Sequence, residues 1–309
     1  DSTILMIWWK VFFGLIKMFK GAITAVVTPF KENGDLDLEA LRNLVEFQIV
    51  NKIDGIAPCG TTGESPTLEH DEHKKVVQTV IDAANGKVKI IAGAGSNSTK
   101  HAVELTKLAA DLGADATLHV CPYYNKPTQE GLYRHFSEVA KAADTPVVVY
   151  NIKGRTAVNM ETATLARLAR EYSNIVAVKE ASGDINQMRD VLNTLPKEFD
   201  VLSGDDNMTF ELMKLGGKGV ISVASNIVPK EMHRLTQYAL DGDFDKAEEI
   251  HNRLMPLFKG LFIETNPIPI KAALAMNGLI KEAYRLPMCE MKAENKERLR
   301  KILDELRVV

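Results

Sequence analysis

The chain has 309 residues, 45% of them apolar, enough for a sizeable core in one large domain or two smaller ones. A formal charge of −3 argues against the basic footprint of a nucleic-acid binder. Three cysteines, Cys59, Cys121 and Cys289, form no CxxC pair; the odd count suggests a reducing, cytoplasmic setting rather than a disulfide scaffold, and leaves no evident zinc site.

The first seventeen residues differ in character from the rest of the chain. Ile4 to Ile16 is nearly all apolar but is broken by Lys10, too short and interrupted for a membrane span. It lacks the basic flank and small-residue cleavage site of a secretory signal. Residues 1–17 are therefore expected to lie outside the fold, with a peripheral membrane anchor or partner-binding helix as the competing reading.

From Gly21 onward, β-branched runs alternate with helical patterns. The expected strands are Ala22–Val27, Gly55–Ala57, Val88–Ala92, Ala116–Val120, Val147–Tyr150, Ile175–Lys179, Phe199–Leu202 and Gly219–Val223. Apolar and polar residues do not alternate cleanly along them, as expected for parallel strands covered on both faces. Between them, Leu38, Leu41, Val45 and Ile49 share one helical face, with Asp37 placed to cap it. Ala102, Leu105, Ala109 and Leu112 repeat the pattern, and Gly113 supplies a stop. Further helices are expected over 70–85, 129–143, 160–172, 185–195, 207–215 and 229–241. Eight units favour an α/β fold of the closed (β/α)8 TIM-barrel type over an open doubly wound sheet. The first strand leads into Thr28-Pro29-Phe30 and no GxGxxG appears after it. Residues 18–242 form the expected barrel. Residues 243–309 hold helical patterns without a strand, predicting a C-terminal helical extension packed on it.

In such a barrel, chemistry belongs at the C-terminal ends of the strands. Val176-Ala177-Val178-Lys179-Glu180 closes the sixth strand. A lysine buried there would lose proton affinity and present a neutral amine, the form that attacks a ketone. It can equally snorkel to solvent or pair with Glu180. Tyr150 ends the fifth strand and can shuttle a proton. The loop expected after it carries Arg155, whose fork of donors suits a carboxylate, or which is merely a surface charge. Gly60-Thr61-Thr62-Gly63-Glu64-Ser65 comes after the second strand and is dense in hydroxyls and glycine, as a bland turn would be too. Ser203-Gly204-Asp205-Asp206 ends the seventh. Gly204 would admit a small ligand, and the aspartates would cap a helix or, less well supported, hold a divalent metal. Tyr123 and Tyr124 lie between prolines in a stiff loop. Cys121 has no neighbouring base to activate it, and His70 and His73 fit a helix surface better than a metal pair.

Together these segments resemble the dihydrodipicolinate synthase (4-hydroxy-tetrahydrodipicolinate synthase) family, within the N-acetylneuraminate lyase superfamily. The likeness runs from about Met18 to the C-terminus. It includes Gly60-Thr61-Thr62-Gly63-Glu64, Pro122-Tyr123-Tyr124-Asn125-Lys126-Pro127, Tyr150-Asn151 with Gly154-Arg155-Thr156, and Lys179-Glu180-Ala181-Ser182-Gly183. Gly219-Val220-Ile221-Ser222 and Asn266-Pro267-Ile268-Pro269 also fit.

The resemblance implies a lyase that needs no cofactor and no metal, and condenses pyruvate with L-aspartate 4-semialdehyde on the way to diaminopimelate and lysine. Lys179 would form the Schiff base, and Tyr150, Thr61 and Tyr124 the proton relay, with Tyr124 reaching into a neighbouring subunit. Thr62 would hold the pyruvate carboxylate, Arg155 that of the second substrate, and Gly204 and the backbone around Ile221 would line the pocket. A homotetramer, a dimer of dimers, is implied; no nucleic acid or membrane is. The Arg155 motif and tandem tyrosines set the chain apart from sialic-acid and 2-keto-3-deoxy sugar-acid lyases, the alternative on this scaffold; a non-catalytic ligand-binding barrel is a third reading. Lys153 departs from the pattern, which commonly has proline there. Ser65, His70, His73, Asn97, His101 and Tyr123 match the positions where lysine-sensitive members bind lysine, but His101 stands where those often carry glutamate. A histidine cannot supply that carboxylate, which argues against feedback inhibition.

Overall fold

A computed structural model describes residues 19–308, so the expectation for residues 1–17 lies outside the described residues. Eight parallel strands close into a barrel in chain order: β1 (Gly21–Ala25), β2 (Gly55–Ala57), β3 (Lys89–Gly93), β4 (Ala116–Val120), β5 (Val147–Asn151), β6 (Ile175–Glu180), β7 (Asp200–Ser203) and β8 (Gly219–Ser222). The expected (β/α)8 barrel with its helical extension is the observed architecture. The ring closes where β8 pairs with β1 through Gly21 and Gly219. A Cβ on Gly219 would lie 2.0 Å from the Gly21 carbonyl oxygen, so only glycine lets this seam form.

Helices return the chain between strands: α1 (Leu38–Val50), α2 (His70–Ala84), α3 (Thr99–Asp111), α4 (Gln129–Ala142), the short α5 (Lys153–Thr156), α6 (Thr162–Glu171), α7 (Ile185–Thr194), α8 (Thr209–Lys214) and α9 (Pro229–Leu240). The Asp37 carboxylate accepts the Ala40 N–H at 3.0 Å and so caps α1. Gly113, in the left-handed region, ends the α3 unit. Strand limits differ from the periodicity by one or two residues: β1 stops at Ala25 and β3 starts at Lys89. The segment after β5, expected as a loop, winds into α5.

Along β5, Val147 and Val149 pack outward with Leu132, Phe136 and Leu165, while Val148 and Tyr150 face the barrel interior beside Ile23, Leu118 and Ile221. The β6 strand would put Ala177 and Lys179 on the same side as the outward Ile175 if its pleat were regular. It is not: Val147 pairs with Ile175, but the next residue, Val148, pairs with Ala177. The extra residue, Val176, is a bulge that reverses the phase of everything after it. Ala177 then joins the interior cluster, Val178 the outer one, and Lys179 comes to lie beside Tyr150 in register.

After the barrel come α10 (Phe244–Gly260), α11 (Ile268–Met276) and α12 (Ala293–Glu305). Their Leu254, Leu257, Ile270, Leu274, Leu299 and Leu303 share one apolar cluster with Val45, Val77 and Leu235 of α1, α2 and α9. This region therefore has no core of its own. A buried ion pair also ties it down: Lys271 Nζ of α11 meets Glu64 Oε1 of the β2 loop at 2.5 Å, both side chains at or below 1% exposure. Among the described residues, no helix is long and apolar enough to cross a membrane.

Candidate active site

The C-terminal ends of the strands converge on a cavity of about 70 Å³. Lys179, Tyr150, Thr61, Thr62, Arg155 and Gly204 all line it, so six of the eight residues proposed from the sequence for catalysis and substrate binding come together here. Lys179 is 6% exposed, which removes the snorkelling alternative. The pairing alternative fails as well, because Glu180 is engaged elsewhere. Its Oε1 accepts the Ser182 N–H at 2.7 Å, and its Oε2 accepts from Asn151 Nδ2 and Gln187 Nε2.

The ammonium of Lys179 stands 4.2 Å from the centre of the Tyr150 ring. Burial lowers its pKa to about 8, reinforced by the charge of Arg155 and opposed by Asp205 and Asp206. A minority of the amine is therefore already neutral at about pH 7, and the fraction grows as pH rises toward about 8. Burial, with Asp205 adding to it, pushes the Tyr150 phenol above its ordinary range; Arg155 and a hydrogen bond with Thr61 pull the other way. The phenol thus keeps its proton and can hand it on through the Thr61 hydroxyl. Gly204 has a direct steric reason: a Cβ there would lie 2.5 Å from Ala181 Cβ and 3.2 Å from Lys179 Cε, pressing on the stem of the amine.

The loop bearing Thr61 and Thr62 is a compact turn, with Gly63 and Ser65 N–H groups donating to the Gly60 carbonyl. Glu64 adopts a left-handed conformation, φ 51°, to end it. The two aspartates after Gly204 separate in role. Asp206 accepts the Val223 and Ala224 N–H groups at 3.0 and 2.8 Å, fixing the chain after β8. Asp205 lines the cavity instead, and burial raises its pKa against the pull of Lys179 and Arg155. Neither side chain caps the following helix.

Arg155 sits on α5, where its guanidinium donates to the Asn266 carbonyl at 3.1 Å. Lys153 occupies the first residue of that helix and is exposed. That position needs no N–H bond, so proline would fit it, and lysine changes the pre-organisation of the turn rather than its hydrogen bonding.

Two assigned residues lie elsewhere. Ile221 is fully buried in the barrel interior beside Ile23 and Ala177 and does not line the cavity; Val223, just past the end of β8, does. Tyr124 is 89% exposed and held at φ 72°, with its loop braced by Asn125 Nδ2 on the Asn97 carbonyl and Asn97 Nδ2 on the Tyr123 carbonyl. It projects from the chain rather than into its own cavity. Cys121 is fully buried and its thiol is pushed up by burial, which suppresses the reactive thiolate.

A second, broader cleft of about 630 Å³ opens from the same mouth. Ser65, His70, His73, His101 and Tyr123 line it, while Asn97 lies behind, bracing Tyr123. His73 is fixed by its Nε2 against the Gly93 carbonyl at 2.8 Å. Glu104, one turn after His101, is the one carboxylate among the lining residues, and the sequence motifs did not point to it. Residue spacing alone carried a signal for it, since i and i+3 share a helix face. Asn266, Phe262 and Val223 of the first cavity had no such local signal, because their neighbours there are distant in the chain.

Comparison with known proteins agrees with this geometry. Residues 18–306 match the model of the dihydrodipicolinate synthetase family. A 4-hydroxy-tetrahydrodipicolinate synthase of Methanocaldococcus jannaschii is 53% identical over 292 residues, covering 94% of this chain and 100% of the relative. The crystal structure of dihydrodipicolinate synthase from Aquifex aeolicus superposes with a TM-score of 0.92 at 50% identity, covering 94% of this chain and 99% of that one. That of the chloride-inhibited dihydrodipicolinate synthase from Acinetobacter baumannii, complexed with pyruvate, gives 0.93 at 44%, covering 94% and 100%. With the fold in agreement and nearly the whole length matched, the chain belongs to the dihydrodipicolinate synthetase family.

Proposed function

We propose that the chain condenses pyruvate with L-aspartate 4-semialdehyde to 4-hydroxy-tetrahydrodipicolinate, through a Schiff base on Lys179. The observation that carries this reading is the buried amine of Lys179, with no carboxylate paired to it among the described residues, lying against Tyr150 in a small cavity. The neutral amine attacks the ketone carbon of pyruvate, and the Tyr150–Thr61 pair moves the protons that let the carbinolamine lose water. Thr62 holds the pyruvate carboxylate. Loss of a methyl proton from the imine gives an enamine, whose carbon attacks the aldehyde of the second substrate while Arg155 holds that substrate's carboxylate. The amino group of the second substrate then attacks the imine carbon, closing the ring and releasing Lys179.

In this reading residues 18–242 are the catalytic barrel and residues 243–309 a helical region packed on it. Tyr124 belongs to a neighbouring subunit's relay, which requires at least a dimer, and a dimer of dimers is the assembly proposed. The exposure of Tyr124 on a braced, left-handed turn supports that placement. Three free thiols support a cytoplasmic location.

The test is turnover with competing substrates. Consumption of L-aspartate 4-semialdehyde together with pyruvate supports the proposal. Cleavage of a 2-keto-3-deoxy sugar acid or sialic acid without semialdehyde turnover would replace it with the sugar-acid reading, and no turnover of either would favour a ligand-binding barrel.

A further inference from the structure

Asn266 stands between the two residues assigned to carboxylates. Its side-chain Nδ2 donates to Thr62 Oγ1 at 3.0 Å, and its backbone carbonyl accepts from Arg155 at 3.1 Å. The residue is 4% exposed and lines the first cavity. Thr62, at 3%, is equally enclosed.

A hydroxyl has one proton to give and can accept two. With Asn266 donating to it, the Thr62 oxygen is an acceptor on that side, and its own proton must point elsewhere. Among the described residues, no acceptor takes that proton. The Asn266 Oδ1, which could have taken it, also makes no hydrogen bond. A buried pair that leaves its donor unused is costly unless a ligand completes it. Thr62 lines the same cavity as Lys179, and the anionic end of a 2-keto acid bonded to that lysine is the acceptor that fits.

We infer that Asn266 is a positioning residue that orients the Thr62 hydroxyl to donate to the pyruvate carboxylate. Its side chain serves the first substrate and its backbone carbonyl, through Arg155, the second. This rests on the Schiff-base reading of Lys179. It also explains why the helical region after the barrel is inseparable from the site: a residue 204 positions from Thr62 sets that hydroxyl's polarity.

The two halves of the role can be separated. Asn266→Asp keeps the side-chain volume but replaces the donor with an acceptor, which captures the Thr62 proton and sets a negative charge beside the pyruvate carboxylate. Its KM for pyruvate should rise about tenfold or more, while kcat at saturating pyruvate and KM for L-aspartate 4-semialdehyde stay within about threefold, because the Arg155 contact uses the backbone. Asn266→Ala should give a smaller rise in the same parameter, and on a Thr62→Val background it should add nothing. An unchanged pyruvate KM in Asn266→Asp, a parallel rise in both KM values, or an additive double variant would each overturn the role. The wild-type chain is reduced with borohydride in pyruvate as the control. Absence of an adduct there removes the Schiff-base reading and this role together; an adduct with an unchanged pyruvate KM in the variant removes the role alone.

Discussion

Two buried lysines in this chain show what makes an amine reactive. Lys271 is fully enclosed, and burial lowers its pKa, but Glu64 opposes the shift and holds it as an ammonium at 2.5 Å. The rings of Phe30 and Tyr284 add their faces at 4.3 and 5.3 Å. Lys179 is almost as enclosed, yet no carboxylate pairs with it among the described residues, and a cavity opens before it. Burial is common to both. The partner and the cavity decide which one is a nucleophile and which one a bolt.

The contrast is broken most directly by exchanging the losses. Lys179→Ala should cut turnover by about 10⁴-fold or more, as removal of a nucleophile does, with a thermal midpoint no lower than wild type because an unpaired buried amine is gone. Retained turnover would show that the wrong lysine has been assigned. Lys271→Met should do the reverse, costing about 3–5 kcal/mol of stability in denaturant unfolding by stranding the Glu64 carboxylate. Pairing it with Glu64→Gln should recover much of that loss. If the single variant unfolds like wild type, the ion pair is not what anchors the loop.

Smaller changes sharpen the picture. Gly204→Ala pushes on the Lys179 stem and should lower kcat/KM by about 10²-fold, the usual result of displacing a reacting group by an ångström, while leaving the fold intact by circular dichroism. The rate of imine formation at fixed pyruvate should rise with pH and level off above about 8, since only the neutral amine attacks. The linkage has the matching sign. Between about 8 and 10.5 the unfolded chain binds the Lys179 proton and the folded one does not, so this lysine makes stability rise with pH in that window, a slope Lys179→Met should remove. Least of all, Lys153→Pro at the first residue of α5 should stabilise by about 0.4–1 kcal/mol with activity nearly unchanged.

Much of this was legible in the sequence because it is local. Strand and helix alternation, the Asp37 cap, and lysine, tyrosine and threonine at strand ends are all written in neighbouring residues. The bulge at Val176 was not. Periodicity alone puts Lys179 in phase with the outward Ile175, and only pairing with β5 reveals the extra residue that turns it inward. The winding of α5, the depth of Ile221 against Val223, and the hold of Asn266 on Thr62 also depend on partners far along the chain. Glu180 beside Lys179 in sequence suggested a pair. The fold instead engages that carboxylate with Ser182, Asn151 and Gln187, facing away from the amine.

Whether Lys179 or Lys271 is the reactive amine is decided by borohydride reduction in the presence of pyruvate followed by peptide mass mapping. One reduced pyruvate adduct per chain is expected, on the peptide containing Lys179, with Lys271 unmodified. An adduct on Lys271, on any other lysine, or on none would overturn the assignment of Lys179 as the nucleophile.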